Sequence, residues 1–514
     1  MKIYLHKDFG DFQTPLNLVN QILKKLKTLN KNWTRILEPT CGTGNFIKGI
    51  TESGLDPNEI QGIEIQEEYV DRARELSAVF PHITVHKNNI FDLNLSKELS
   101  WANTGPLLVI GNPPWITNSE LGSINSSNIP KKRNLKSLNG FDALTGASNF
   151  DIAEYIWLKL ISELEENTAI ALLSKTSVAR NILQFAHMKG LPIRNAKIFK
   201  INTKEWFGAS VDGCLFYLEI GKNEDIYFAE VFSDLESITP DNIIVAINGY
   251  LVTCNNLNDI SELLSRKNDK FPFTWRQGIK HDAASVMELT YNSMGYKNKL
   301  GETVDIEDSY LFPLIKSSDL YNKERQNPTR AVIITQNKLS EDTGKIEKEA
   351  PRLWSYLTSH EDYFIKRKSS IYKGKLRFSI FGVGDYSFAP YKVAISGFYK
   401  NPRFRAFGPV DKKPVVFDDT CYFIPCNSEL QAALLSSILN HPVSIAQLKS
   451  LIFIDSKRPI TKKVLQNISL TDILKKIDDK EILLNLQNEL SLMNSNSCDI
   501  SKITPQIIKE LLIP

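Results

Sequence analysis

The sequence is short of several things, and each shortage removes a class of protein. Six cysteines are scattered over 514 residues and none forms a CxxC pair, so neither a disulfide framework nor a cysteine-held zinc is expected. No apolar run reaches the roughly 18 residues of a membrane span. The opening MKIYLHKDFGDFQTP lacks the apolar stretch of a signal peptide. The expectation is a cytoplasmic protein in a reducing compartment, with no membrane partner and no metal site. Charge of one sign is missing too: 62 Lys and Arg stand against 59 Asp and Glu, a formal +3. An acidic partner therefore has to be met by local patches, not by the field of the whole molecule. What is plentiful is core-forming material, with 42% hydrophobic residues, 26 Phe, 17 Tyr and 7 Trp, which excludes disorder as the main state.

Two textures divide the chain. From about residue 15 to 220, strand-length apolar runs alternate with amphipathic stretches. ILEP (36–39), IQGIEI (60–65), ITVHKN (83–88), PLLVIGNPP (106–114), AIALLS (169–174) and GCLFYLEI (213–220) read as strands. LNLVNQILKKL (16–26), EEYVDRARELSAV (67–79) and DIAEYIWLKLISEL (151–164) read as helices. Such alternation predicts an α/β fold with a mostly parallel sheet covered on both faces, ending in an antiparallel edge hairpin after 195. Residues 116–150 interrupt the pattern with a polar loop carrying Lys131, Lys132, Arg133 and Lys136. The expected domains are 1–225, a mixed α+β domain at 226–468, and a helical segment at 469–514. Within 351–415, 13 Lys and Arg against 4 Asp and Glu leave a local +9, interleaved with aromatics that are expected mainly to build a core.

Two motifs carry chemistry. In RILEPTCGTGNF (35–46) an apolar strand leads through Glu38 into a turn with Gly42 and Gly44, where the backbone can approach a ligand closely. A pyrophosphate disfavours a carboxylate there; S-adenosylmethionine, with its sulfonium and ammonium, tolerates one. Glu64, ending GIEI (62–65), is placed to accept from a ribose diol, and Asn89 in KNNIFDL (87–93) to meet the adenine amino group, with Asp92 as the other polar candidate. The stronger motif is VIGNPPW (109–115). Two prolines hold the chain extended. They fix the side-chain carbonyl of Asn112 and the backbone carbonyl of Pro113 as two acceptors for an amino group on a planar ring, with Pro114 completing the corner and Trp115 offering a stacking face. Drawing the nitrogen lone pair out of conjugation suits methyl transfer without a general base.

In this order QTP (13–15), LEPTCGTGNF (37–46), GIEI (62–65) and GNPPW (111–115) resemble the gamma group of DNA adenine-N6 methyltransferases from bacterial type II restriction–modification systems. The resemblance implies a Rossmann-like S-adenosylmethionine-dependent catalytic domain followed by a mixed α+β target-recognition domain. It implies a cofactor site of Thr14, Pro15, Glu38, Thr40, Gly42, Gly44, Phe46, Glu64, Ile65, Asn89, Ile90 and Asn112. The family's third-strand acid falls on Asn89, which carries no charge, a departure. A second aromatic, Phe207 in KEWFG (204–208), is implied to clamp the flipped base opposite Trp115. The substrate is then double-stranded DNA, met by Lys131, Lys132 and Arg133 and, in the C-terminal half, by Arg276, Lys280, His281 and Lys392.

Release-factor glutamine and RNA guanine-N2 methyltransferases share an NPP corner, and cytosine N4 has the same amino geometry as adenine N6. These stay open on local chemistry, as does a catalytically silent DNA-recognition subunit. The nearly 300 residues after 220 favour duplex reading. No stretch precedes residue 15 that could house a nuclease module, so the expectation is no cleavage, a separately encoded restriction endonuclease, and a monomer.

Overall fold

The computed structural model describes residues 13–29, 32–117, 151–222, 226–256, 258–260, 270–292, 295–321, 328–339, 341–453, 456, 458–493 and 503–513. The chain divides into two compact units, Met1–Ser265 and Arg266–Pro514.

The first unit is built on one ten-stranded sheet. Its strands are β1 (Arg35–Glu38), β2 (Glu59–Glu64), β3 (Ile83–Lys87), β4 (Leu107–Gly111), β5 (Ala169–Lys175), β6 (Ile193–Ile201), β7 (Gly213–Ile220), β8 (Tyr227–Phe232), β9 (Asn242–Ile247) and β10 (Tyr250–Cys254). They lie in the order β10-β9-β8-β6-β7-β5-β4-β1-β2-β3. From β3 through β5 every pairing is parallel, as expected for strands joined by helices. Of these, β1, β4 and β5 are short and buried on both sides, which is why they read as near-continuous apolar runs. Helices α1 (Leu16–Lys27), α2 (Asn45–Ser53), α3 (Glu67–Val79), α4 (Leu95–Glu98), α5 (Ile152–Glu163), α6 (Thr176–Lys189) and α7 (Thr203–Phe207) complete the unit. In α1 the buried residues Leu18, Val19, Ile22, Leu23 and Leu26 form one stripe at helical spacing.

The strands after 195 do bring antiparallel pairing, and the sheet ends in an antiparallel edge hairpin as expected, but that hairpin is β9–β10. Strand β7 lies deeper, inserted between β6 and β5, antiparallel to both, with all eight residues buried. The sheet does not stop near 225. Strand β8 pairs in parallel with β6 and β9–β10 follow as a hairpin, so the expected boundary falls inside the sheet. The spacing of these strands lacks intervening helices, and that resemblance to the following mixed region hid their membership.

The second unit holds two sheets. One runs β14 (Thr303–Val304), β13 (Gly295–Lys297), β12 (Glu288–Asn292), β16 (Arg330–Ile333), β15 (Leu311–Ile315) and β19 (Val416–Phe417). The other runs β11 (Arg276–Gln277), β20 (Cys421–Cys426), β17 (Tyr391–Ser396) and β18 (Phe404–Phe407). Aromatics of the basic stretch do build core: Phe364, Phe378 and Phe404 are buried. The tail is not separate, because helix α9 (Asp479–Leu492) lies on α8 (Glu429–Asn440), where Ser436 Oγ donates to Glu489 at 2.8 Å. Among the described residues no helix is long and apolar enough to cross a membrane, and no cluster of His, Cys, Asp and Glu is placed to hold a metal.

Candidate active site

Strand order reverses between β1 and β4, and a cleft opens at the carboxyl ends of β1 to β4. Open α/β sheets bind their ligands at such a reversal, because the connections leave in opposite directions and part the loops. Thr14, Glu38, Thr40, Gly42, Phe46, Glu64, Ile65, Asn89, Ile90, Asn112 and Pro114 all line it.

The glycine turn sets the near wall. Gly44, at a φ of 83°, caps α2, a left-handed conformation that a side chain would strain. The turn is tied to β2: Cys41 N–H donates to the Ile63 carbonyl at 2.8 Å, and Gly42 N–H donates to Glu64 Oε2 at 2.8 Å. The other Glu64 oxygen accepts from the N–H groups of Ile65 and Gln66, each at 2.8 Å. Three backbone donors thus orient the carboxylate that is expected to meet a ribose. Beside it Ile65 leaves 43% of its surface exposed, an apolar face at the cleft.

Glu38 is only 2% exposed, and among the described residues its Oε2 has no hydrogen-bond partner. Burial drives its carboxyl well above the usual range, opposed by a hydrogen bond from the Ile47 backbone and reinforced by the charge of Glu64. Thr40 Oγ1 is buried and unpartnered as well. Unsatisfied buried polar atoms are costly, so two of them on one cleft wall indicate a ligand that supplies the missing partners. An amino-acid ammonium beside Glu38, a ribose on Glu64 and a purine against Ile65 and Ile90 match the groups of S-adenosylmethionine.

The proline corner sits against this wall. β4 pairs with β1 in parallel, and a Cβ placed on Gly111 would stand 3.4 Å from Glu38 Cγ. Asn112 is half-buried, Pro113 is buried, and Asn112 and Pro114 face the cleft. Trp115 packs inward, 9% exposed, with its ring where a Cβ on Gly213 would collide at 2.8 Å. Phe207, at the end of α7, does stand beside it, but edge-on: the ring centroids are 5.8 Å apart at 62°. Two rings in mutual contact leave no slot for a base between them, so a sandwich requires them to part.

Asn89 is less available than expected. Its Oδ1 accepts from Phe91 N–H and its Nδ2 donates to Asp92 Oδ2, each at 3.1 Å, so the amide shapes its own turn. Thr14 is buried and its carbonyl accepts from Asn45 Nδ2 at 2.8 Å, while Pro15 caps α1. Sequence reasoning missed Gln13 and Asn45. Gln13 Oε1 accepts from Thr43 N–H at 3.2 Å and its hydroxyl at 2.9 Å, clasping the leading segment onto the turn. Both flank residues already singled out, and their amides were the available signal. It also missed the far wall, where Ile152 and Ile156 of α5 line the cleft. Asp151 caps α5, accepting from Ala153 N–H at 3.0 Å and from Lys175 Nζ at 2.6 Å, and Ile152 N–H donates to the Ile116 carbonyl at 2.9 Å. The basic triplet Lys131, Lys132 and Arg133 lies outside the described residues.

Two of the four C-terminal candidates for DNA contact are overturned. His281 is 5% exposed; its Nδ1 accepts from Ala283 N–H and its Nε2 lies 3.5 Å from buried Glu288. Lys392 is 1% exposed, and its Nζ donates to the carbonyls of Ala389 at 2.6 Å and Val415 at 2.8 Å. Burial lowers the Lys392 ammonium to about 7. Neither side chain can reach a phosphate. Arg276, stacked 4.5 Å over Tyr386, and Lys280 stay partly exposed. Part of the local +9 is met inside the unit, where Arg352 pairs with Asp305 and Lys413 with Asp308.

No protein-family profile matches the chain. The chain is 40% identical over 475 residues to the type II methyltransferase M.NspV of Nostoc sp., a match spanning 91% of this chain and 98% of that protein. Among solved structures, the type IIL restriction-modification enzyme MmeI in complex with DNA superposes with a TM-score of 0.53 at 14% identity, over 96% of this chain and 75% of that one. At that identity the likeness speaks for the fold alone.

Proposed function

This chain belongs to the type II methyltransferases, and from that membership we propose how its cleft works. It is a site-specific DNA methyltransferase of a restriction–modification system, acting on adenine N6 with S-adenosylmethionine as donor. One observation carries the site reading: Asn112 and the buried Glu38 of the neighbouring strand line one cleft, with so little room between the strands that a Cβ on Gly111 would touch Glu38 Cγ.

Glu38 and Thr40 hold the methionine end of the donor, Glu64 the ribose, and Ile65 with Ile90 the purine. When bound, the donor supplies an electrophilic methyl carbon. The Asn112 side-chain carbonyl and the Pro113 backbone carbonyl accept the two N–H bonds of the target amine. That pulls the lone pair out of the ring system and aims it at the carbon. The alkylated nitrogen then sheds a proton to water, so no side chain has to act as base. Extruding the base costs roughly a few kcal/mol. Stacking on Trp115 and Phe207, once their rings part, returns about 1–3 kcal/mol. The unit beyond Ser265 reads the DNA, cleavage belongs to a separately encoded endonuclease, and the protein works as a monomer in the cytoplasm.

Sequencing that reports modified bases, on DNA from a methylation-free host expressing the chain, tests this. Adenine N6 methylation at one recurring sequence is expected. Asn112→Ala should cut transfer by about 10²–10³-fold or more while the affinity for S-adenosylmethionine stays within several-fold. Near-normal transfer by that variant would remove Asn112 from its role, and methylation on cytosine would replace the target.

A further inference from the structure

The segment Ile279–Asp282 alternates in and out of the second unit. Ile279 and His281 are buried, whereas Lys280 and Asp282 are turned outward with side chains 34% and 30% exposed. The turn is held unusually firmly. Gly278 and Gly382 let three backbones cross: a Cβ on Gly278 would lie 2.1 Å from the Asp418 carbonyl oxygen, and one on Gly382 would lie 2.4 Å from the Gly278 carbonyl oxygen. Lys280 pairs through its backbone with Phe381 in both directions at 2.8 Å. His281 is pinned through both ring nitrogens, and its carbonyl accepts from Arg367 Nη1 at 3.3 Å. That guanidinium is itself fixed 3.7 Å over the Tyr372 ring. Asp419 lies alongside, its carbonyl accepting from Gln277 Nε2 at 2.7 Å.

This rigidity serves a pair that does little for the fold. Lys280 Nζ and Asp282 Oδ1 stand 3.4 Å apart and partly solvated, an ion pair of small worth. A patch meant for phosphates would exclude the carboxylate, which repels them. A base edge does not: in the major groove a lysine donates to guanine O6 and N7, and a carboxylate accepts from the cytosine N4 amine. Binding sites are built by locking the supports and leaving the contact groups presented, which is the arrangement here.

We propose that Lys280 and Asp282 read one G·C pair of the recognition sequence from the major groove, Lys280 on guanine and Asp282 on cytosine. The inference rests on the chain methylating duplex DNA, as argued above. It identifies which part of the second unit specifies sequence and what it specifies.

The test compares the full-length wild type with Lys280→Gln and Asp282→Asn, on duplexes carrying every single-base change of the wild-type site. Both positions are partly exposed, so the variants are expected to fold, and matched thermal unfolding checks this. Each bidentate or amino contact is worth about 5- to 150-fold in discrimination. Both variants should therefore lose selectivity at the same G·C position by that order, while selectivity elsewhere and affinity for S-adenosylmethionine hold. A wild-type site without a G·C pair would overturn the proposal, as would unchanged selectivity in both variants. So would a uniform loss in Lys280→Gln across all duplexes with a shallower salt dependence, the signature of a phosphate contact. A wild type that methylates no DNA would instead defeat the functional reading, and this inference with it.

Discussion

Glu38 in the first unit and Glu288 in the second are both nearly fully buried, 2% and 4% exposed, yet their surroundings are opposite. Among the described residues Glu38 has an oxygen with no hydrogen-bond partner, and burial pushes its carboxyl up. Glu288 accepts from Lys299 at 2.6 Å and Lys316 at 2.8 Å and faces His281. Burial alone would raise it, but those hydrogen bonds together hold it well below the usual range. With Glu38 in the role proposed above, the difference separates scaffold from site. A carboxylate that maintains a fold carries its partners within the chain, because a lone buried charge is costly. A carboxylate kept for a ligand is left incomplete, and the fold bears the cost until the ligand comes.

Breaking the complete cluster should have the larger effect. Glu288→Ala strands two ammonium groups and is expected to cost about 3 kcal/mol of stability in the second unit, measured by urea denaturation. The wild-type carboxyl has a folded-state value below the ordinary 4.5, so its contribution is present above that pH. It is lost as pH falls through the depressed value, and the gap between wild type and variant should close in acid. If the gap instead persists unchanged in acid, the cluster is not what Glu288 contributes.

Glu38→Gln should act in the reverse sense. Its folded-state carboxyl lies above the ordinary 4.5, so the protonated form suits the ligand-free fold. Its contribution is intact below about 4.5 and is lost as pH rises through the raised value. The ligand-free variant should therefore melt higher than wild type near neutral pH, with the advantage vanishing in acid. Its affinity for S-adenosylmethionine, by titration calorimetry, should fall about tenfold, the scale of one charge-assisted hydrogen bond. A variant that melts lower and binds as well as wild type would erase the contrast.

The smallest effect is expected at Lys392. Because its Nζ bonds two carbonyls inside the unit, Lys392→Met should leave the salt dependence of DNA binding unchanged. A slope shallower by about one phosphate contact would return this lysine to the DNA surface.

The glycine turn and the proline corner of the first unit were legible because their signals are local. A strand, a carboxylate and a glycine turn follow one another within 35–46, and the proline corner is one run of residues. Their meeting across β1 and β4 follows from the parallel order that alternating strands and helices impose. The recognition half was not legible in this way. Lys392 lies on β17, between β20 and β18, with five of the strand's six residues buried, so no alternation of apolar and polar marked its side chain as inward. His281 sits between two partly exposed charges, and besides Ala283 it is held by Glu288 and Arg367, which no local pattern marked.

By itself the sequence determined the fold class, the glycine turn after β1 and the proline corner after β4, since each depends on backbone preferences of adjacent residues. Tertiary structure alone decided that β7 enters the sheet between β5 and β6, that three more strands extend it to Cys254, and that Trp115 meets Phe207 edge-on. It decided as well which cations of the second unit face inward. Those outcomes depend on pairing register and on burial among residues far apart in the chain, and a charge shows in its own sequence neither its depth nor its partner.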